Sequence, residues 1–563
     1  MRRCLLTAVF AFVILAMLAP SVFAQAPAAP PAPKVTITGL FDQMTTAGRN
    51  FYDGNFSRDN DREWYARTRF RPDFEFAVGR TKAVLGLEID LMYGQGGAND
   101  GGFPGNTGGA AGGFAGGSKS GTNGALDINT DVGGMIEIKW IYTEFDLTGK
   151  DSLMPFIPFL TVARLGGQPF GTIANYKVYY ANGDFAGLDM YSTFTPDIKN
   201  HLAFVVVEDQ LAGGNRAVAT ARTSRGEDYA FIISPEFTPF KGLDLKPMFS
   251  WFHADGVTAG AARRASVNVR TISGAGGAGS GNLNGAAALG GGAPAGDSTN
   301  QENRYTIGLD ARWRVGPFGL DPTIAYQWGK YDTQALRTNG TIGRVEGDAS
   351  AWLFDVIGSY QLGPLLLEVR GMYSPGNKAR DNLSLSKRYF EPLNLDTGYW
   401  SGGWLGILGL GVDYFNGGGG ANQSMDTNIG YDRYGRGQFA LRATYSITPA
   451  LSVYGVVSPA WAAEKVDTNT GCGALTVASS NAGCPARQTV NDRSWVEGDN
   501  AYIGTELNGG FTWRFAPNAA FDLAGYYLFA GSALETTELL NGSAVKRNQN
   551  DGYYASARVR LSF

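Results

Sequence analysis

Histidine and cysteine are nearly missing from this chain, with two and three copies in 563 residues. Imidazole and thiolate metal centres need clusters that so few copies do not form, so no metal and no cofactor is expected. His201 is predicted near a tight turn, where catalysis is not expected. His253, with Asp255 two residues on, is the sole catalytic candidate. No serine constellation accompanies it, and the reading is a non-enzymatic protein. Positive charge is also in short supply. Lys and Arg number 47 against 51 Asp and Glu, a net −4, which is no footprint of nucleic-acid binding. After the first two dozen residues no apolar run reaches eighteen residues, which excludes a transmembrane helix. The glycine-rich stretches 101–117 and 274–296 lack the Gly-Lys-Ser/Thr ending of a phosphate loop and read as flexible surface loops.

What is present begins at the N-terminus. Arg2 and Arg3 precede an apolar run over 5–18, then Pro20 and the small-residue end Val22-Phe23-Ala24. This pattern predicts a secretory signal over 1–24, cleaved after Ala24. Its loss takes the net charge to −6. Residues 25–34, rich in Pro and Ala, read as a stiff extended spacer. Cys4 leaves with the signal. Cys472 and Cys484 stay, in a polar segment with no other thiol or imidazole nearby. In an oxidising compartment such a pair closes a small disulfide loop, worth about 3 kcal/mol in the chain-entropy model.

From residue 35 the chain alternates with a period of two. At the C-terminus Tyr553, Ala555, Ala557, Val559, Leu561 and Phe563 interleave with Tyr554, Ser556, Arg558, Arg560 and Ser562. Trp64, Ala66, Thr68, Phe70, Phe74 and Phe76 interleave with Arg67, Arg69, Arg71, Asp73 and Glu75. Near residue 42, Val35, Ile37 and Phe41 oppose Thr36, Thr38 and Asp42. Further on, Ile503, Leu507, Phe511, Trp513 and Phe515 oppose Glu506, Asn508 and Arg514. A polar face bearing this many arginines needs water, so the apolar face meets lipid and the polar face lines a wet interior. The fold class expected is all-β, a transmembrane antiparallel up-and-down β-barrel over 35–563 with about eighteen strands. Sixteen is the alternative, because 153–165 and 199–209 read ambiguously. Short connectors at 79–82, 149–152, 195–197, 239–242, 316–319, 363–364, 448–450 and 516–518 alternate with long ones such as 94–134, 255–302, 376–434 and 462–499. Short turns at one end and long loops at the other fit an outer-membrane barrel with its short turns in the periplasm. Trp64, Tyr93, Trp251, Tyr305, Trp328, Trp352 and Tyr553 would form one aromatic belt. Phe76, Phe237, Trp313, Trp513, Phe515 and Phe563 would form the other.

In this pattern the chain resembles the Gram-negative outer-membrane porins over nearly all of 35–563, without a match to any subfamily. The terminal Phe563 resembles the signal read by barrel-assembly machinery. The segment Arg164-Leu165-Gly166-Gly167-Gln168-Pro169-Phe170-Gly171 looks like the end of a porin's fifth strand entering its third outer loop. The resemblance implies that the loop over 166–184 folds inward and narrows the channel, with Gln168, Asn175, Tyr176, Lys177, Tyr179, Tyr180 and Asp184 at the constriction. It also implies homotrimers, outer-membrane lipid and lipopolysaccharide as surroundings, and small hydrophilic solutes as cargo.

About eighteen strands enclose more space than their own side chains fill, and the spacer is too short to be a plug. The polar faces nominate Arg67, Arg69, Arg71, Glu88, Asp90, Arg312, Arg314, Arg370, Arg442, Arg514, Arg558 and Arg560 as pore-lining. In a closed barrel one strand separates 67–71 from 558–560, so these arginines could form one basic wall that concentrates anions. The competing reading is wall bracing. Folding about the 79–80 turn sets Arg71 opposite Glu88 and Arg69 opposite Asp90, and leaves Arg67 facing Met92 unpaired; such cross-strand pairs add about 0.2–1 kcal/mol each and cancel much of the field. The acidic run Asp59-Asn60-Asp61-Arg62-Glu63 lacks the glycine and distal glutamate of a calcium loop; it reads as a solvated loop, or as a divalent bridge to lipopolysaccharide. Three functions follow from these readings. The first is a diffusion channel for small hydrophilic solutes and ions. The second is a channel specific for sugars, oligosaccharides or carboxylates. The third is a surface-binding protein on a barrel scaffold.

Overall fold

The computed structural model describes residues 32–50, 56–57, 62–93, 131–132, 136–181, 183–208, 211–212, 224–225, 228–255, 301–336, 342–378, 386–393, 404–408, 434–466, 468–469, 488–490, 493–495, 498–541 and 543–563. The signal 1–24, the spacer up to residue 31, Cys472, Cys484, both glycine-rich stretches and the acids at 59–61 lie outside the described residues.

Among the described residues, eighteen strands form the wall. They are β1 Lys34–Arg49, β2 Arg62–Val78, β3 Thr81–Tyr93, β4 Ile136–Thr148, β5 Leu160–Pro169 and β6 Asp184–Thr195. There follow β7 Ile198–Glu208, β8 Asp228–Phe240, β9 Leu243–Asp255, β10 Gln301–Val315, β11 Phe318–Leu336 and β12 Ile342–Leu362. The last six are β13 Leu365–Ser374, β14 Arg436–Thr448, β15 Leu451–Val466, β16 Asn500–Ala516, β17 Ala519–Ala530 and β18 Gly552–Ser562. Each pairs antiparallel with its neighbour in sequence, and β1 pairs antiparallel with β18, from Leu40↔Ser562 to Arg49↔Tyr553. The sheet is therefore a closed barrel with no free edge. Both ambiguous segments supply wall strands, β5 and β7, which decides eighteen over sixteen.

Alternation turns apolar side chains outward. Val35 and Ile37 are 56% and 51% exposed, while Asp42 on the opposite face is 1% exposed. The outer surface carries exposed Phe231, Phe249, Ile307, Phe354, Val369, Leu441, Leu507 and Val559. Trp251, Tyr305 and Trp328 stand in register on β9, β10 and β11 toward the long-loop end, where Trp64 and Tyr553 are also exposed. Phe76, Phe237, Trp313, Trp513, Phe515 and Phe563 are exposed toward the short-turn end. The Tyr93 side chain lies outside the described residues. Ile503 departs from the expected outward set and is fully buried. The pairing jumps from Ala460↔Gly504 to Trp461↔Tyr502, so Ile503 is an inserted residue and the bulge turns it inward.

Seven of the eight connections at the short-turn end have two residues; Gly316 and Gly363 open two of them with φ of 55° and 53°, a left-handed conformation that glycine adopts without steric cost. The eighth departs from the expected tight turn at 149–152. The strands end at Thr148 and resume at Leu160, leaving an eleven-residue connection over 149–159.

Candidate functional site

The lumen face is laced with acids as well as arginines. Glu88 of β3 accepts Arg69 at 2.8 Å and Arg71 at 2.7 Å, with Lys139 of β4 at 3.7 Å. The register sets Arg69 opposite Asp90 and Arg67 opposite Met92, as the hairpin requires; the Asp90 side chain lies outside the described residues. Arg67 is not left unpaired, however. Pairing with β1 sets Asp42 3.8 Å from Arg67, and closure against β18 gives that Asp42 a two-pronged bond from Arg558, Nε to Oδ1 at 2.7 Å and Nη2 to Oδ2 at 2.5 Å. Arg560 forks onto Asp522 of β17 at 2.6 and 2.9 Å. The basic wall is thus neutralised by carboxylates on the strands between and beside the arginines. A reading of the β2–β3 hairpin alone does not bring them in.

The remaining pore-lining candidates divide the same way. Arg370 forks onto Asp355 at 3.0 and 2.9 Å. Arg314 bonds Asp321 at 2.8 Å. Arg442 lies 3.7 Å from Glu368 and over the rings of Tyr454 and Trp404. Arg312 and Arg514 are exposed and have no carboxylate within 4.0 Å among the described residues. The Arg312 guanidinium lies 4.2 Å over the Tyr176 ring.

Tyr176 belongs to the connection between β5 and β6, which folds into the barrel. Its base is closed by the Phe170 amide donating to the Gly183 carbonyl at 2.9 Å. Phe170, Ile173, Ala174, Tyr179, Tyr180 and Ala181 pack on inward side chains of the wall, including Val205, Ile232, Met248 and Leu353. Lys177 ties the tip to the far wall. Its amide donates to Asp310 Oδ2 at 2.9 Å, and its ammonium reaches the Asp321 carbonyl at 2.7 Å and Asp355 Oδ2 at 3.3 Å. Burial pushes the Lys177 ammonium below the usual lysine range, an effect that Asp355 and Asp310 oppose. Burial pushes the phenols of Tyr176, Tyr179 and Tyr180 upward, so all three stay neutral.

The constriction candidates therefore play different structural parts. Gln168 lies in β5 and Asp184 opens β6. Gln168 bonds the carbonyls of Arg164 and Gly187 at 3.3 and 3.2 Å, and Asp184 pairs with Lys139 at 3.4 Å. Asn175 accepts the Tyr179 amide at 2.7 Å, and the Tyr180 hydroxyl donates to Ser250 at 2.7 Å. These four residues and Tyr179 are buried, while Tyr176 and Lys177 keep partial exposure. Gly308 of β10 makes room for the loop, because a Cβ there would collide with the Tyr179 hydroxyl.

A second connection also enters the lumen, one that residue order does not mark as inward-folding. It follows β13, and its segments 386–393 and 404–408 pack inside. The amides of Gly406, Ile407 and Leu408 donate to the Glu506 carboxylate at 2.7, 2.9 and 2.7 Å. Asn508 bonds the Trp404 carbonyl at 2.9 Å, and the fully buried Arg436 bonds the Leu408 carbonyl at 2.5 Å. Around them Leu405, Ile407 and Leu408 join Phe56, Val456, Ile503, Leu528 and Tyr554 in an apolar cluster. Glu391 holds the other segment, 2.9 Å from Arg304 and 3.2 Å from Lys387.

No protein-family model and no curated protein matches the chain. Among solved structures it is similar to OccAB1 of Acinetobacter baumannii, at 11% identity over 96% of this chain and 99% of that one, with a TM-score of 0.43. It is similar to a BenF-like porin of Pseudomonas fluorescens, at 11% identity over 94% and 99% of the two chains, with a TM-score of 0.42. OccK8 (OprE) of Pseudomonas aeruginosa gives 11% identity, 94% and 98% coverage and a TM-score of 0.41. The barrel stands on its own strand pairing.

Among the described residues neither histidine hydrogen-bonds a serine or a thiol; their side-chain partners are Asp189 and Asn303. His201 lies 3.1 Å from Asp189 and stacks on Tyr191 at 4.3 Å. His253 is buried near the long-loop end, 2.9 Å from the Asn303 side chain and 5.1 Å from the Tyr229 ring. The Asp255 side chain lies outside the described residues.

Proposed function

We propose that this chain is a non-enzymatic outer-membrane channel through which small hydrophilic solutes and ions diffuse. One observation carries the reading. A closed eighteen-stranded wall exposes aromatic and aliphatic side chains outside and holds Asp42, Arg67, Arg69, Glu88, Asp355 and Arg370 inside. That inversion of a soluble protein's polarity suits a tube set in lipid and filled with water. The signal over 1–24 delivers the chain, the spacer and two-residue turns face the periplasm, and outer-membrane lipid and lipopolysaccharide surround the belt. Assembly through Phe563, a homotrimeric state and a Cys472–Cys484 disulfide belong to the same reading.

A second reading, a substrate-specific channel, is favoured by the two connections packed into the lumen, which leave a passage narrower than the wall encloses. Planar-bilayer recording of the purified mature chain tests both. Ohmic current steps support diffusion, and saturable steps blocked by a single solute support specificity. A chain that stays monodisperse without detergent and never conducts removes the proposal.

A further inference from the structure

The connection over 149–159 has no counterpart among the seven two-residue turns beside it. From Ser152 to Phe159 it reads Ser-Leu-Met-Pro-Phe-Ile-Pro-Phe, without a charge. Leu153 and Phe156 are 69% and 79% exposed, the two highest values among the described large apolar side chains.

The segment is built to hold that shape. Met154 and Leu153 donate their amides to the carbonyls of Leu147 and Asp146 at 2.9 and 3.4 Å, folding the chain back along the end of β4. The Gly149 amide donates to Ile157 at 3.1 Å, and the Thr148 hydroxyl to the Phe159 carbonyl at 2.6 Å. Arg80, from the adjacent turn, pairs with Asp146 at 2.5 Å and bonds the Lys150 carbonyl. An apolar tip fixed by this many bonds is presented, not merely tolerated. In water it would leave several large side chains unburied.

The outer face of the barrel continues into this tip. Phe159 lies 4.8 Å from Phe194 between ring centroids, and Phe194 is an exposed residue of that face at the end of β6. We propose that 152–159 is a membrane anchor, its apolar side chains set at the headgroup–acyl boundary of the leaflet around the short-turn end. Apolar and aromatic side chains on a polar support favour that depth. The anchor would fix the height and tilt of the β4–β5 side in the bilayer, a role no two-residue turn fills. This inference rests on the proposal that the barrel spans a membrane.

The test is depth-resolved quenching on the full mature chain with Cys472→Ser and Cys484→Ser. A nitrobenzoxadiazole label is placed at Phe156→Cys or, as a second reporter, Leu153→Cys. Phe354→Cys, on the outer surface of β12, is the control. In phosphatidylcholine–phosphatidylethanolamine vesicles, labels at 153 and 156 are expected to lose fluorescence to a nitroxide lipid spin-labelled near the headgroup and to resist aqueous iodide. Quenching at 153 and 156 by iodide alone, with 354 quenched by a deep nitroxide lipid, overturns the anchor and leaves the membrane barrel standing. Cross-linking between 156 residues of two copies, with no lipid quenching there, also overturns it by assigning the tip to a protein contact. Failure of lipid to quench 354 removes both proposals.

Discussion

The backbone amide of Leu393 donates to the carbonyl of Tyr180 at 2.8 Å. These residues belong to connections that follow β13 and β5, and they meet inside the barrel. Their rings meet as well, with Tyr179 and Phe390 6.1 Å apart between centroids. The passage is therefore shaped by two loops that brace each other, and each anchor of either loop becomes a handle on conduction.

Glu506 is the anchor of the second loop. Hydrogen bonds to a charged group contribute about 1.5–3 kcal/mol each, and its carboxylate accepts three consecutive amides. Glu506→Ala should release 404–408, raising single-channel conductance and its noise and lowering the thermal midpoint in detergent. Glu506→Gln keeps one acceptor oxygen and should fall between. Unchanged current noise in both variants would contradict the anchor.

Gly308 tests the seat of the first loop. A methyl there meets the Tyr179 hydroxyl, so Gly308→Ala should cost about 1–3 kcal/mol, the usual range for overpacking. Adding Tyr179→Phe removes the colliding oxygen and should recover part of that loss. A double-mutant cycle by chemical denaturation reads the coupling, and strictly additive losses would show that the two do not touch.

Selectivity should follow pairing rather than arginine number. Arg312 has no carboxylate partner among the described residues, so Arg312→Gln should move the reversal potential in a salt gradient toward cations. Arg67→Gln should move it less, because Arg558 still neutralises Asp42. An equal or larger shift from Arg67→Gln would restore the basic-wall reading.

Lys177 gives a pH dependence with a definite sign. Burial lowers its affinity for protons in the folded state, so the unfolded chain holds more protons between the folded value and the ordinary lysine value. Stability then rises with pH across that window, which lies below the ordinary value. Anion preference should fall over the same window as the ammonium discharges. Lys177→Met should abolish the selectivity step in a series of reversal potentials against pH, and a step that persists would assign it elsewhere.

Much of the wall was legible in residue order. A period-two code states which side chain faces lipid, so Val35, Trp64, Phe354 and Val559 announced their side without any partner, as did Arg69 and Arg370 on the other. The same code failed at Ile503, where one inserted residue reverses the face, and at 149–159, where apolar residues continue past the end of β4 without entering a wall strand. It was silent on the loop after β13, because a peptide amide has no sequence signature until a carboxylate such as Glu506 lies within reach.

Alternation and turn chemistry therefore determined, from the sequence alone, a barrel with a greasy outside and an ionised inside. Tertiary structure decided how much of that ionisation is felt. Closing β1 against β18 brings Arg558 to the Asp42 already beside Arg67, and folding two loops inward sets Lys177 against Asp310 and Asp355 and the amides of residues 406–408 against Glu506. The physical reason is range: side-chain facing is a local property of the pleat, whereas charge neutralisation and loop seating depend on contacts between residues far apart in the chain, 516 positions for Asp42–Arg558 and 133 for Lys177–Asp310.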